Sequence, residues 1–331
     1  MKPTTRTQID LGRKCNMNCR FCYYRQLGDL RKQAFKSFEI LTKSIDGAVR
    51  RGNNYIDWTG GEGSVYPRMP ELIEYCLKRY DVKSCLITNG IAGEYTYKKI
   101  IDAGIDDFLL SVHGIGQNHD TITNFPGAFE RQERTLEQIK KAKIKLRFNV
   151  VINRYNQTEL INIAEYLATW KPRIVNFINM NLHHEWAFDH LTAKDVIADL
   201  DIVQPNLEQA IAYLHSLNIA VNVRYYPMCR LSPDYWQCIC NDMHVIFDPY
   251  EWSYGINPIT YENAYKWAVD CSNRIEEKGH PCNQCDLQNI CGGINREFHK
   301  VAGDVCTPFE VDGIDKNDFL YFRRQNKEAF K

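Results

Sequence analysis

Neither sign of charge is in surplus: Lys plus Arg and Asp plus Glu number 41 each in 331 residues. No global field therefore pulls the chain toward nucleic acid or an acidic membrane surface. Long apolar runs are also missing. No stretch approaches the roughly 18 residues that span a bilayer, and residues 1–8 lack the apolar segment of a secretion signal. There is no internal repeat, no low-complexity tract and no long linker. These absences predict a cytoplasmic protein with no membrane or nucleic-acid partner. Against them stand thirteen cysteines. A reducing compartment disfavours a disulfide framework, and an odd count could not pair completely, so metal ligation is the leading explanation.

The length corresponds to about two domains, or one large α/β barrel with an extension. From Thr4 to about Tyr225, short β-rich runs alternate with segments of helical period, the pattern of βα units around a parallel sheet. Strands are expected at Thr5 to Leu11, Tyr55 to Thr59, Ser84 to Thr88, Phe108 to Val112, Leu146 to Ile152, Ile174 to Ile178 and Val221 to Tyr225. Leu72, Ile73, Cys76 and Leu77 share one helical face, and Leu160, Ile163, Ala164 and Leu167 another. The basic run Lys140, Lys141, Lys143, Lys145 and Arg147 ends a helix and enters a strand, so it reads as a solvated terminus. After Pro227 helical periodicity fades, and eight of the cysteines fall between Cys229 and Cys306. Residues 1–226 and 227–331 are thus expected as two domains, the second cysteine-rich.

Cys15, Cys19 and Cys22 follow the first strand in the order Cys-x3-Cys-x2-Cys, with Phe21 before the third. Three thiolates are one fewer than a closed zinc site or an electron-transfer iron–sulfur cluster needs. A [4Fe-4S] cluster on three thiolates keeps one iron open for a ligand. After the second strand comes Gly60-Gly61-Glu62, where two glycines allow close backbone approach and Glu62 offers an acceptor to a cation.

With these two elements in this order the chain resembles the radical S-adenosylmethionine (SAM) enzymes. The resemblance implies a partial (β/α)6 TIM-like barrel whose cluster on Cys15, Cys19 and Cys22 binds SAM, with Gly60, Gly61 and Glu62 at the methionyl ammonium. It also implies Ser111 and Asn149 as contacts to the SAM ribose or carboxylate. A flavodoxin- or ferredoxin-type reductant would supply one electron, SAM would be cleaved to a 5'-deoxyadenosyl radical, and that radical would take hydrogen from an unactivated C–H bond. No Rossmann-type glycine fingerprint follows the first strand, which speaks against a non-radical SAM methyltransferase. Thr88, Asn89, His113 and Asn153 end other strands and are open between ligand contact and turn chemistry. Asn179, Asn181, His183, His184, Glu185, Trp186, Asp189 and His190 form a polar loop expected to touch substrate.

Cys282-x2-Cys285-x5-Cys291, with Cys306 fifteen residues on, has the ligand chemistry of a zinc knuckle or a [4Fe-4S] site. The resemblance favours the latter, because many radical SAM enzymes end in a SPASM or twitch domain that holds auxiliary clusters. The full SPASM pattern has another cysteine where this chain has Asn295. The expectation is therefore one auxiliary cluster on Cys282, Cys285, Cys291 and Cys306, with Cys238, Cys240 and Cys271 unassigned. Cys229 is a candidate hydrogen-atom donor to a substrate radical. Cys76 and Cys85 lie on apolar faces as core residues. The substrate is expected to be a small polar molecule or a peptide, and the chain starts too near the first strand to carry a leader-binding domain ahead of it. The rival reading is a non-catalytic zinc-cluster interaction protein built on the C-terminal cysteines.

Overall fold

A computed structural model of the chain describes residues 1–24, 27–182, 193–253 and 255–326. Seven strands lie parallel in sequence order: β1 (Arg6–Asp10), β2 (Tyr55–Thr59), β3 (Lys83–Thr88), β4 (Asp107–Ser111), β5 (Lys145–Ile152), β6 (Ile174–Asn179) and β7 (Ala220–Arg224). Each strand sits within about one residue of its expected place, because Val, Ile, Leu and Phe crowd into runs that only a sheet covered on its outer face can bury. The sheet curls into a half-barrel, six strands as expected with β7 extending it. Helices pack outside it through the predicted stripes: Leu72, Ile73 and Cys76 are wholly buried, as are Leu160, Ile163, Ala164 and Leu167.

The concave face is polar. Arg147 on β5 reaches past its neighbouring strands to Asp57 on β2 (3.3 Å) and pairs with Asp107 on β4 (2.7 Å). Arg6 joins through Asp57 (2.6 Å). Two guanidiniums thus meet two carboxylates inside the barrel, and Cys85 lies beside them, 3.1 Å from Arg147. The expected solvated terminus holds for Lys140 and Lys141, which close a helix at Ala128–Ala142, but not for Arg147, which is 1% exposed. Alternation along β5 turns it inward, where opposite charge compensates its desolvation.

The C-terminal region closes the open side of the half-barrel. Ile239 bridges Val223 on β7, and the Cys240 amide bonds the Val223 carbonyl (2.8 Å). Further along the same segment, the Ser253 amide bonds the Arg6 carbonyl on β1, while Thr4 donates to the Ile246 carbonyl, both at 2.8 Å. Both edges of the sheet thereby find partners for backbone groups left exposed by the missing strands. Buried ion pairs, Arg224 with Glu251 (3.1 Å) and Arg323 with Asp248, fasten the segment in place.

The region is more helical than its sequence texture predicts. A helix spans Tyr261–Ile275, started by Thr260, whose hydroxyl accepts the Asn263 amide. Its buried stripe is Ala264, Ala268, Cys271 and Ser272, and such small residues give a weak hydrophobic signal. A two-stranded hairpin, β8 (Glu276–Glu277) against β9 (Ile294–Asn295), follows. Among the described residues no helix is long and apolar enough to cross a membrane.

Candidate active site and cysteine centres

The loop carrying Cys15, Cys19 and Cys22 lies over the C-terminal ends of β1 to β4, where ligands bind in parallel α/β folds. It is pinned at several points. The Cys15 amide bonds the Leu30 carbonyl (3.1 Å), and Arg20 donates to the carbonyls of Ile122 (backbone amide, 2.9 Å) and Thr121 (side chain, 2.8 Å). Met17 is buried against Ile91 and Ala128, with Cys15 and Cys19 packed beside them. Phe21 stands edge-on to His113 beyond β4, ring centres 4.5 Å apart. The aromatic before the third cysteine thus anchors the loop on a histidine. That histidine stays neutral: burial holds its pKa well below the ordinary value, and Nδ1 accepts the Val151 amide (3.1 Å).

The three thiols are half-buried and within electrostatic reach of one another. Burial, then the Glu62 charge, pushes Cys15 up to about 12. Cys19 is raised well above the ordinary thiol value by burial and then by the charges of Cys22 and Cys15. Three desolvated thiols cannot ionise side by side without a cation among them. The donor set therefore fits a positively charged iron–sulfur core. Among the described residues no three His, Cys, Asp or Glu side chains are placed to hold a single metal ion, and a four-iron cube spreads its thiolates wider than one ion does.

Gly60 and Gly61 serve the loop itself. A Cβ on Gly60, at φ +130°, would stand 2.6 Å from the Gly12 carbonyl oxygen, and one on Gly61 would stand 2.1 Å from that of Lys14. The amides of Gly61 and Glu62 donate to those same carbonyls at 2.8 and 2.9 Å. The close approach expected toward a ligand is thus partly spent on seating the cysteine loop against the end of β2. Glu62 is wholly buried. Oε1 accepts the Ser64 amide and the Ser64 and Thr88 hydroxyls (2.9, 2.6 and 2.6 Å), while Oε2 accepts the Asn89 amide (2.7 Å). Burial raises its pKa against these donors. It locks the ends of β2 and β3 together and keeps one lone pair of Oε2 for a cation.

Ser111 and Asn149 are register partners, and the register continues to Asn176 and Asn222. Asn176 donates to Asn149 Oδ1 (2.9 Å), so these residues form a polar belt across the concave face of β4 to β7, two residues above Arg147 on β5. Asn176 and Asn222 escaped the sequence reading, although an Asn inside a Val/Ile/Phe strand is a signal of polar burial. Asn153 closes a turn by accepting the Tyr155 amide (3.0 Å). Of the expected substrate loop, Asn179 and Asn181 are described; His183, His184, Glu185, Trp186, Asp189 and His190 lie outside the described residues.

The C-terminal cysteines converge on a second place. Cys282, Cys285, Cys291 and Cys306 line one small pocket, and Cys229 joins them there. A hydrogen bond from the Cys306 thiol holds Cys229 below the usual thiol range and pushes Cys306 up; burial raises Cys291 to about 12. Cys238 and Cys240 are buried beside His215 and Asp248, each 3.7 Å away, and Cys271 lies in a helix stripe. Asn295, standing where the fuller pattern has cysteine, caps the helix Arg296–Ala302 by accepting the Phe298 amide (2.9 Å).

Known proteins resemble this chain in sequence and fold. Fe-coproporphyrin III synthase of Methanosarcina barkeri is 28% identical over 167 residues, 50% of this chain and 41% of the synthase. GTP 3',8-cyclase of Aquifex aeolicus is 22% identical over 206 residues, 60% and 64% of the two chains. The matches thus span roughly two fifths to two thirds of these relatives. Among solved structures, anSMEcpe with bound AdoMet has a TM-score of 0.58 at 16% identity, covering 98% of this chain and 95% of that one. SuiB of Streptococcus suis bound to its precursor peptide SuiA has a TM-score of 0.54 at 16% identity, covering 67% and 49%. The profile of the radical SAM superfamily matches residues 9–167, which run from β1 with its cysteine loop through the helix after β5. Over these residues the chain carries a domain that matches the radical SAM superfamily.

Proposed function

We propose that this protein is a radical SAM enzyme that removes hydrogen from an unactivated C–H bond of a small polar molecule or a peptide. The observation that carries this reading is the assembly of Cys15, Cys19 and Cys22 on a loop seated against Gly60 and Gly61 at the barrel mouth. When bound, SAM and its [4Fe-4S] cluster supply the 5'-deoxyadenosyl radical that does the hard chemistry. Cys15, Cys19 and Cys22 would hold that cluster, and Phe21 fixes their loop. Glu62 would take the methionyl ammonium through its remaining lone pair. Ser111 and Asn149 would contact the ribose or carboxylate, and Asn176, bonded to Asn149, orients that amide. The C-terminal cysteines would hold one auxiliary [4Fe-4S] cluster, and a flavodoxin- or ferredoxin-type protein in the cytoplasm would deliver the electron. Names of relatives that act on GTP, a porphyrin or a peptide support a polar substrate without choosing one.

The test is anaerobic reconstitution followed by incubation with SAM and dithionite. We expect 5'-deoxyadenosine by mass spectrometry, lost when Cys15, Cys19 and Cys22 are all replaced by Ala. Protein that takes up zinc in place of iron and leaves SAM intact would overturn the proposal in favour of a structural zinc protein.

A further inference from the structure

The helix Ala128–Ala142 buries Ala128, Gln132, Thr135, Leu136 and Ile139 along one face, so Gln132 holds a place in a core stripe. It is wholly buried, and its Oε1 has no hydrogen-bond partner among the described residues. An apolar side chain of like volume would avoid the cost of that unmet acceptor. The other end of the amide accounts for its presence. Nε2 donates to the backbone carbonyls of Asn89 and Ser111, each at 2.8 Å. Both partners only accept, which forces the orientation of the amide. Gly90, at φ +81°, makes room for the stem, because a Cβ there would stand 3.0 Å from Gln132 Cγ.

Those two carbonyls belong to the ends of β3 and β4, and Asn89 is a junction. Its amide donates to Glu62 Oε2 (2.7 Å), and its side-chain Nδ2 donates to Oδ1 of Asn16 in the cysteine loop (2.8 Å). The same helix grips the neighbourhood twice more: the Thr135 hydroxyl donates to the Gly90 carbonyl (2.7 Å), and Ala128 packs on Met17. We infer that Gln132 is a positioning residue for SAM. From the outer helix layer its amide sets the spacing of the β3 and β4 ends, and through them the relation of Glu62, Ser111 and the cysteine loop, the three parts proposed to hold one molecule. The inference rests on the proposed SAM site and adds to it a residue that acts only through others.

The experiment compares the full-length parent with Gln132→Met, Gln132→Glu and Gln138→Met after anaerobic reconstitution. Gln138 is the control: on the same helix, its Nε2 donates to the Glu94 carbonyl (3.2 Å). The readouts are iron content, Tm, SAM affinity of the oxidised protein by titration calorimetry, and 5'-deoxyadenosine formed with dithionite at saturating SAM. Gln132→Met should keep its iron and bind SAM about tenfold more weakly, with a saturated rate within about twofold of the parent. Gln138→Met should match the parent in both. In Gln132→Glu the neutral carboxyl can still donate to one carbonyl, whereas the ionised one donates to neither. Its SAM affinity relative to the parent should therefore fall as pH rises from about 6 to 8, where a buried carboxyl ionises. Parent-like affinity in iron-loaded Gln132→Met would overturn the inference, as would an equal loss in Gln138→Met. A Gln132→Glu to parent ratio that is flat with pH would overturn it whether or not Gln132→Met holds its iron. A parent that takes up iron but neither binds nor cleaves SAM would overturn the SAM site itself, whereas a parent that cleaves SAM alongside parent-like Gln132 variants would overturn this inference alone.

Discussion

Replacing Gly61 by Ala tests whether the cysteine loop depends on backbone contact with the end of β2. The new Cβ would stand 2.1 Å from the Lys14 carbonyl oxygen, 2.5 Å from its carbon and 2.7 Å from the Arg13 carbonyl oxygen. All three are backbone atoms, so no flexible side chain can swing away. Non-bonded contacts settle at about 3.5 Å, and the loop must retreat by about 1 Å or more. That retreat strains the bonds from Gly61 to Gly12 and from Glu62 to Lys14, each worth about 1 kcal/mol, on top of an overpacking cost of about 1–3 kcal/mol. We expect a loss of about 3 kcal/mol and a fall in Tm of about 5 °C. Because Cys15 follows Lys14 directly, the variant should also lose the iron of the first site. Gly47→Ala is the control: in the helix Phe38–Arg50 its Cβ meets only the guanidiniums of Arg51 (3.4 Å) and Arg50 (3.9 Å). It should gain about 0.5–1 kcal/mol by helix propensity. Calorimetry and iron content of the two variants decide the matter, and a Gly61→Ala protein with parent-like Tm and iron would refute the reasoning.

Other outcomes follow from the buried polar groups. Arg147→Met leaves Asp107 buried without its main partner and should cost about 3–5 kcal/mol in denaturant unfolding, with Asp107→Asn in the same chain recovering part of it; an unchanged midpoint would show that the network is not compensating charge. Burial holds the His119 imidazole down at about 4, whereas the unfolded one takes its proton near 6.5. Proton uptake therefore favours unfolding as pH falls from about 6.5 to 4. Tm should drop over that window more in the parent than in His119→Gln, and a constant difference between them would refute the assignment. Asn295→Ala removes a helix N-cap and should cost about 1 kcal/mol, read as a small Tm decrease with iron content unchanged.

What is local in the chain was legible in its order of residues. Short apolar runs place all seven strands, and period-3.6 stripes place the helices that carry Leu72 to Leu77 and Leu160 to Leu167, because burial against the sheet imposes those patterns. The spacing of Cys15, Cys19 and Cys22 marks a centre because a single loop can fold three nearby sulfurs together. Three-dimensional packing decided the rest. Arg147 reads as one more cation of a basic run until the curl of the sheet carries it across to Asp57. Gly60 and Gly61 read as ligand contacts until the loop after β1 lies on them. Asn295 reads as a lost ligand until it caps a helix. Cys229, 78 residues from the amide that bonds its sulfur, joins the other four thiols only because the C-terminal segment returns to close the barrel. Such long-range neighbours follow from which edges and cavities must be covered, and sequence spacing carries no record of that.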